Sequence, residues 1–563
     1  MHKTLCLLGC LTAPLFFVSA SNASSAPAPV GFDWFEYSGR NPIAFPEPAP
    51  GEFRNPILTG FYPDPSICRV GDDYYLTNST FAYFPGLPVF HSKDLVNWKL
   101  IGHAIDRPDQ LRYEGLRVSE GIFAPAITHH EGLFYMICTM VGSNGNFVLT
   151  AKDPAGPWSD PYPLRFAGID PSIFFDDDGR AWIVNNDAPD GEPLYDGHRA
   201  IRIQEFDHKE MKVLGPRPVL VNGGVDISTK PIWIEGPHIY KRDGWYYLSC
   251  AEGGTGPGHS QVVFRSRVVT GPYVPWEGNP ILTQRDLDPL FPGAVTCVGH
   301  ADLEMGPDGR WWATFLGVRP YDGHASPMGR ETFLLPVEWT EDGWPTILPD
   351  PAARIPLRAP APDAVAHVTD PELPLSGAFT WRDEFTSERL SPAWIMLRAP
   401  KETWWRSDHA AGRLWIEPRA ATLSGRSNPS YLGRRVQHAH FSAAVQMQTP
   451  GAAGVSAGLV AFQNNTHHYY LGVQRSSDGV SLFLERVAGP QAQSERVAVV
   501  SLPAVSEIGL RVVGDLDRCF FEYAVEPGRW VVVADGLDAR MLTTAVAQGF
   551  VGATVGVHAR LEP

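Results

Sequence analysis

Charge is scarce in this chain: Asp, Glu, Lys and Arg make up 19% of 563 residues, and the balance is acidic, with a formal net charge of −16. Nucleic acid and anionic membrane surfaces reward clustered Lys and Arg, so this balance argues against both and favours a neutral partner. Cysteine is scarce as well. Cys6 and Cys10 fall within the first twenty residues, which leaves Cys68, Cys138, Cys250, Cys297 and Cys519. An odd number at scattered spacing is no disulfide framework, and three of the five sit in apolar strand-like runs, as buried free thiols would. There is no CxxC and no paired His/Cys spacing of the kind zinc needs, so no metal site is expected from cysteine or histidine motifs. Long amphipathic helical patterns are missing too.

No apolar run reaches the ~20 residues needed to cross a bilayer. The apolar stretch from Leu5 to Val18, interrupted by Pro14, follows a basic start at His2 and Lys3 and ends at Val18-Ser19-Ala20. That is the form of a signal peptide over 1–20, with Ala23 as the next cleavage candidate, and it implies a secreted or periplasmic protein. Leu7-Leu8-Gly9-Cys10 superficially matches a lipoprotein box, with very short regions ahead of it.

Aromatic residues, by contrast, are plentiful at 11%, with 17 Trp. The length exceeds what one core supports and calls for at least two domains. Five stretches share one pattern, namely a small or polar residue, usually Pro, an aliphatic, an Asp/Gly turn and then aromatics. They start at Asp64, Ala124, Asp170, Gly236 and Gly299, and are spaced by 60, 46, 66 and 63 residues. Each reads as a strand, a tight turn and a second strand, at the spacing of blades in a five-bladed β-propeller. First strands of blades line the central channel, so their equivalent ends converge. At those ends stand Asp64, Asp170, Glu235 and His300.

The propeller is expected over 53–350, closing after Phe333-Leu-Leu-Pro-Val-Glu-Trp339. A leader segment, 21–52, built around Phe32-Asp-Trp-Phe35, is expected to pack on this first domain. A Pro/Ala-rich stretch, 351–377, has the composition of a semi-rigid linker. Residues 378–563 alternate as strands between Gly, Asp and Ser turns, the pattern of a β-sandwich.

Hydrolysis of a glycosidic bond needs one carboxylic acid to protonate the leaving oxygen and a second carboxylate to activate water or attack the sugar. The acid must stay protonated near neutral pH, which burial or a third carboxylate can secure. Asp-Pro at a strand start is commonly an Asx turn. Glu235, however, ends the apolar run Trp233-Ile-Glu, where an ionised carboxylate needs a partner or a task.

Phe61-Tyr-Pro-Asp64-Pro-Ser-Ile, Gly168-Ile-Asp170-Pro-Ser-Ile-Phe-Phe-Asp-Asp-Asp-Gly179 and Glu235-Gly-Pro-His-Ile-Tyr-Lys241 resemble the signature segments of glycoside hydrolase family 43, which contains five-bladed propeller enzymes. Asn55-Pro-Ile-Leu-Thr-Gly60, Ser79-Thr-Phe81-Ala-Tyr-Phe-Pro-Gly86, His91-Ser-Lys-Asp-Leu-Val-Asn-Trp98 and Gly329-Arg-Glu-Thr332 are most similar to its exo-acting β-xylosidase branch, which carries a C-terminal concanavalin-like β-sandwich. The resemblance implies inversion, with Asp64 as general base, Glu235 as general acid and Asp170 raising the acid's pKa and orienting it. It further implies a sugar pocket with Phe81 as apolar wall, Thr255 and Arg330 bonding hydroxyls, His300 at the channel beneath them and, from the weak match of Gln548-Gly-Phe550-Val-Gly, Phe550 closing the site from the sandwich. No cofactor is required by this chemistry. His300 reads either as a hydrogen-bonder or as a ligand for a channel calcium held mostly through water.

Gly121-Ile-Phe123-Ala-Pro departs from the Gly-Ile-Trp-Ala-Pro usual in β-xylosidases, losing an indole donor while keeping an apolar face. The implied substrate is a xylo-oligosaccharide or an arabinose-substituted oligosaccharide, and α-L-arabinofuranosidase or dual activity is the alternative. The retaining fructan hydrolases show Asn-Asp-Pro-Asn and Arg-Asp-Pro where this chain has Tyr62-Pro-Asp-Pro and Gly168-Ile-Asp-Pro. A non-catalytic sugar-binding propeller would be expected to have lost a carboxylate, and all three are present.

Overall fold

The computed structural model describes residues 28–40, 47–362, 370–477 and 479–562; the expected signal peptide lies outside them. Among the described residues the helices are one four-residue α-helix, Thr544–Ala547, and two 3₁₀ turns, Ile227–Thr229 and Arg540–Leu542. Everything else that is regular is strand.

The five repeats become five antiparallel sheets around one axis. Their innermost strands are Ser66–Val70, Ala126–His130, Ile169–Phe175, Glu235–Arg242 and Thr296–Met305. Each pairs with the strand that follows its Asp/Gly turn. Each innermost strand packs on the next and the fifth packs on the first, which closes the ring. Closure is reinforced by the entering chain: Ile57 N donates to Thr332 O at 2.9 Å, while Asn55 donates to Leu334 O through Nδ2 (2.8 Å) and accepts from Leu334 N through Oδ1 (2.9 Å). The aromatics of the repeats fill the interblade space, with Trp182, Tyr247 and Trp312 buried.

The second domain is a sandwich of two eight-stranded sheets. One runs Trp405–Asp408, Arg413–Ile416, Val30–Arg40, His440–Gln448, Glu507–Asp515, Arg518–Ala524 and Val531–Asp538, with Phe379–Asp383 also on Val30–Arg40. The other runs Glu495–Leu502, Gly479–Ala488, His467–Ser476, Val455–Asn464, Thr554–Leu561, Tyr431–Arg435, Ile395–Leu397 and Tyr83–Phe84.

Two boundaries therefore differ from expectation. The leader does not pack on the propeller as a separate segment: Val30–Arg40 is an interior strand of the sandwich, hydrogen-bonded to Phe379–Asp383 and Arg413–Ile416 as well as His440–Gln448. A register shift between Phe32 and Trp34 brings Phe32 onto the core face that alternation gives Phe35 and Tyr37, and all three have no exposed surface, as a strand buried on one face requires. The expected linker is also structured where described, since Arg358–Pro360 pairs with Glu52–Arg54 and Thr59 Oγ1 donates to Leu375 O at 2.9 Å.

The domains also share a sheet. Tyr83–Phe84 of the propeller pairs with Ile395–Leu397 of the sandwich. Beside that joint, buried Arg398 donates to Leu116 O through Nε (2.8 Å) and Nη2 (2.6 Å). All five remaining cysteines are free, four buried and Cys297 half-buried.

Candidate active site

A cavity of about 270 Å³ opens at the end of the channel where the innermost strands begin, lined by Asp64, Phe81, Phe123, Ala124, Ile169, Asp170, Trp233, Glu235, Gly254, Thr255, His300, Arg330 and Phe550. Every candidate from the sequence lies in this one wall. Trp233, Ile169, Ala124 and Gly254 were missed. Of these, Trp233 carried a signal, because an indole two residues before a strand-end carboxylate in a sugar site is a natural stacking face.

Local backbone geometry aims the polar groups. Asp64, Asp170 and His300 each adopt φ 53°, and Gly236, next to Glu235, adopts 55°. Left-handed backbone at non-glycine residues costs about 1–2 kcal/mol and persists only where the surroundings enforce it. The strand registers break at the same places, between Ile169 and Ser172, Glu235 and His238, and Gly299 and Asp302. Such irregularities turn side chains out of the sheet alternation and into the channel. Gly236 also has a packing reason: a Cβ there would stand 2.7 Å from His300 Nε2.

The three carboxyls are buried but differ in their partners. Asp64 accepts from Arg330 Nη1 at 2.7 Å on Oδ1 and from Ser79 Oγ at 2.5 Å on Oδ2, with His300 Nδ1 at 3.9 Å. Burial pushes this carboxyl up, but Arg330, His300 and the Ser79 hydroxyl together outweigh it and hold it below the usual range. Glu235 has no such bond donor among the described residues, and burial, with the charge of Asp64 added, pushes it up to about 7. Asp170 is raised well above its ordinary value by burial and then by the charges of Glu235 and Asp64, while the Gly236 N–H donates to it. That last bond ties Asp170 to the backbone next to Glu235. One carboxyl is thus displaced downward and two upward.

The apolar wall comes from three chain segments. Phe81 N donates to Ile122 O and Ile122 N to Phe81 O, so the residue after Ile122, Phe123, is delivered beside Phe81 with ring centroids 5.6 Å apart. Gly121 permits this approach, because a Cβ there would meet Phe81 O at 2.4 Å. Phe550 arrives from the sandwich, its ring 6.0 Å from Phe81 and 5.8 Å from Phe123, pinned by Ser119 Oγ accepting from Phe550 N at 2.9 Å. Arg330 spans the two domains, with Nη2 donating to Phe550 O at 3.4 Å and its guanidinium 5.7 Å and 5.5 Å from the Phe81 and Phe550 rings. Its Nε is buried without a hydrogen-bond partner among the described residues.

Burial, partly opposed by Asp64, holds His300 down at about 4, so its ring is neutral. Calcium takes six to eight oxygen ligands, and the carboxylates near His300 are already engaged. Asp302 accepts from Ser66 Oγ (2.7 Å) and Ile67 N (3.0 Å) on one oxygen, and from Tyr240 OH (2.7 Å) and Leu303 N (2.9 Å) on the other. A calcium bound directly through these oxygens does not fit this set, whereas the neutral His300 ring is the candidate ligand for one held mostly through water.

Residues 53–345 match the family described as "Glycosyl hydrolases family 43", and residues 382–561 match "Beta xylosidase C-terminal Concanavalin A-like domain". The chain is 40% identical over 522 residues to a protein named xylosidase/arabinosidase from Butyrivibrio fibrisolvens, a match covering 90% of this chain and 95% of that one. It is 37% identical to a non-reducing end alpha-L-arabinofuranosidase from Bacteroides ovatus, covering 90% and 91% respectively. Among solved structures, a GH43_12 protein retrieved from capybara gut metagenome matches with a TM-score of 0.88 and 42% identity, over 95% of this chain and 100% of that one.

Proposed function

The chain belongs to glycosyl hydrolase family 43, and from that premise we propose that it releases single β-1,4-linked xylose residues from the non-reducing ends of xylo-oligosaccharides, with inversion at the anomeric carbon. The observation that carries this reading is the opposite displacement of two buried carboxyls in one cavity, Asp64 downward and Glu235 up to about 7. Environments that push two carboxyls apart assign the acid and the base.

Glu235 donates its proton to the glycosidic oxygen as the C1–O bond breaks. Asp64 takes a proton from the water whose oxygen forms the new C1 bond on the opposite face, so one water is consumed and one bond is exchanged. Asp170 accepts from the Gly236 N–H and so fixes the backbone that carries the acid. Thr255 and Arg330 bond hydroxyls, and the Phe81, Phe123, Phe550 and Trp233 rings hold the apolar faces of the sugar. A cavity of about 270 Å³ lies below the ~300–1,000 Å³ of drug-sized sites and suits one terminal sugar, which supports exo action.

A second reading, α-L-arabinofuranosidase or dual activity, is favoured by the names of the two relatives above and by Phe123 standing where a tryptophan is usual. Initial rates on the 4-nitrophenyl derivatives of β-D-xylopyranose and α-L-arabinofuranose, measured side by side, decide between them. Proton NMR of early hydrolysis tests the stereochemistry: α-xylose must appear first from a β-xyloside, and β-xylose first would remove the inverting assignment. Export to the periplasm or medium is proposed from residues 1–20 alone and is tested by N-terminal sequencing of the mature protein.

A further inference from the structure

At the far end of the blades from the catalytic cavity, turns of two neighbouring blades bring His130, Glu131 and His208 together. His130 ends the strand Ala126–His130, and His208 follows the strand Ala200–Asp207. Their ligand atoms all lie within 4.8 Å of one another, and His130 Nε2 is 3.9 Å from Glu131 Oε1. Both imidazoles are seated on one ring. His130 stacks flat on Phe175 with centroids 4.0 Å apart and planes at 7°, while His208 meets Phe175 edge-on at 5.4 Å and His130 at 5.5 Å. Phe175 stands five residues of extended chain beyond Asp170, roughly 16 Å, so this cluster is separate from the hydrolytic site.

We propose that His130, Glu131 and His208 bind one zinc-class transition-metal ion that clamps the second blade to the third. Two imidazoles and a carboxylate form a donor set that suits zinc and disfavours calcium and magnesium, which take oxygen shells. Metal–ligand bonds of 2.0–2.1 Å in tetrahedral geometry separate ligand atoms by about 3.3 Å. The triad, with ligand atoms up to 4.8 Å apart, is wider than that and closes by rotation of the exposed Glu131 side chain together with the half-buried His208 ring, leaving water as the fourth ligand. The sequence hides this site because its ligands come from turns of different blades, at no motif spacing.

The test uses untagged, EDTA-dialysed full-length protein, titrated with zinc chloride by calorimetry and followed by thermal unfolding. One zinc per chain should bind, and Tm should rise with zinc concentration as a ligand of the native state dictates. Glu131→Gln, an isosteric change at an exposed turn, and His208→Asn should each weaken binding by at least about tenfold and move the Tm rise to correspondingly higher zinc, while their Tm in EDTA stays that of the wild type. Hydrolysis rates should be unchanged in both, and calcium chloride should give no rise. Absence of a zinc-dependent rise at millimolar zinc would overturn the proposal, as would an equal rise in the wild type and His208→Asn.

Discussion

Arg330 Nη1 lies 2.7 Å from Asp64 Oδ1, both groups buried, and this ion pair sets the charge state on which the chemistry turns. It also joins the domains, since the same guanidinium donates to the carbonyl of Phe550. Removing Arg330 would leave the burial of Asp64 opposed chiefly by His300 and Ser79.

Arg330→Met is therefore expected to move the acid limb of the kcat/KM profile to higher pH. The sign follows from the base role. Asp64 works ionised, and a pKa held below the usual range keeps it so as pH falls. With the guanidinium gone that pKa rises, and activity is lost earlier on acidification. Arg330→Lys keeps a charge and should shift the limb less. An acid limb that stays in place in the Met variant would separate Asp64 from the limb.

Glu235, raised to about 7, predicts the basic limb: the acid must carry its proton, so activity falls as pH climbs through about 7. Asp64→Asn and Glu235→Gln should each lower kcat by roughly 10²–10⁴-fold without unfolding the protein. On an activated 4-nitrophenyl glycoside, Glu235→Gln should lose less than Asp64→Asn, because a good leaving group needs little protonation. Glu235→Gln should also flatten the basic limb. Equal losses on activated and natural substrates would overturn the role assignment.

The five blades were legible because each carries its own local punctuation, an Asp/Gly turn between two apolar runs, and a repeat multiplies a weak signal. The site followed, since residues at equivalent strand ends must converge once the ring is inferred. What stayed hidden was non-local. Val30–Arg40 finds its partners at Phe379–Asp383, Arg413–Ile416 and His440–Gln448, and nothing in a strand's own pattern names the sheet it joins. The pairing of Tyr83–Phe84 with the sandwich was invisible for the same reason. Val455–Asn464, buried along nearly its whole length as VSAGLVAFQN, shows little of the alternation that marks its neighbours as strands. Trp233 was read as part of the apolar run before Glu235, whereas its left-handed backbone, φ 52°, makes it a cavity wall.

Gly236→Ala tests the backbone device beside Glu235. Alanine at φ 55° costs about 1–2 kcal/mol, and its Cβ would stand 2.7 Å from His300 Nε2. The variant should be less thermostable and lose kcat more than KM rises, because the displaced strand end carries the acid. Unaltered Tm and kcat would mean that the segment relaxes freely.

Phe550→Ala removes the ring that the sandwich places against Phe81 and Phe123. Loss of one partly buried aromatic wall is worth about 1.5–3 kcal/mol, so KM for xylobiose should rise tenfold or more with a smaller change in kcat. Should the same loss appear wholly in kcat, Phe550 would be positioning Arg330 rather than contacting the sugar.

The N-terminal strand gives the last prediction. Phe32, Phe35 and Tyr37 are wholly buried in the sandwich, and truncating even one such aromatic typically costs about 3–5 kcal/mol, against a total domain stability of roughly 5–15 kcal/mol. A chain beginning at residue 47 would also leave Phe379–Asp383, Arg413–Ile416 and His440–Gln448 without the strand they share. Such a chain should yield a proteolysed or insoluble sandwich, and with it lose the loop that holds Phe550 at the cavity, so activity on xylobiose falls even though every carboxyl of the propeller is present. Limited proteolysis and kcat/KM on xylobiose, compared with a chain beginning at residue 28, measure both effects. A soluble, protease-resistant chain from residue 47 with undiminished kcat/KM would show that the sandwich closes without its interior strand.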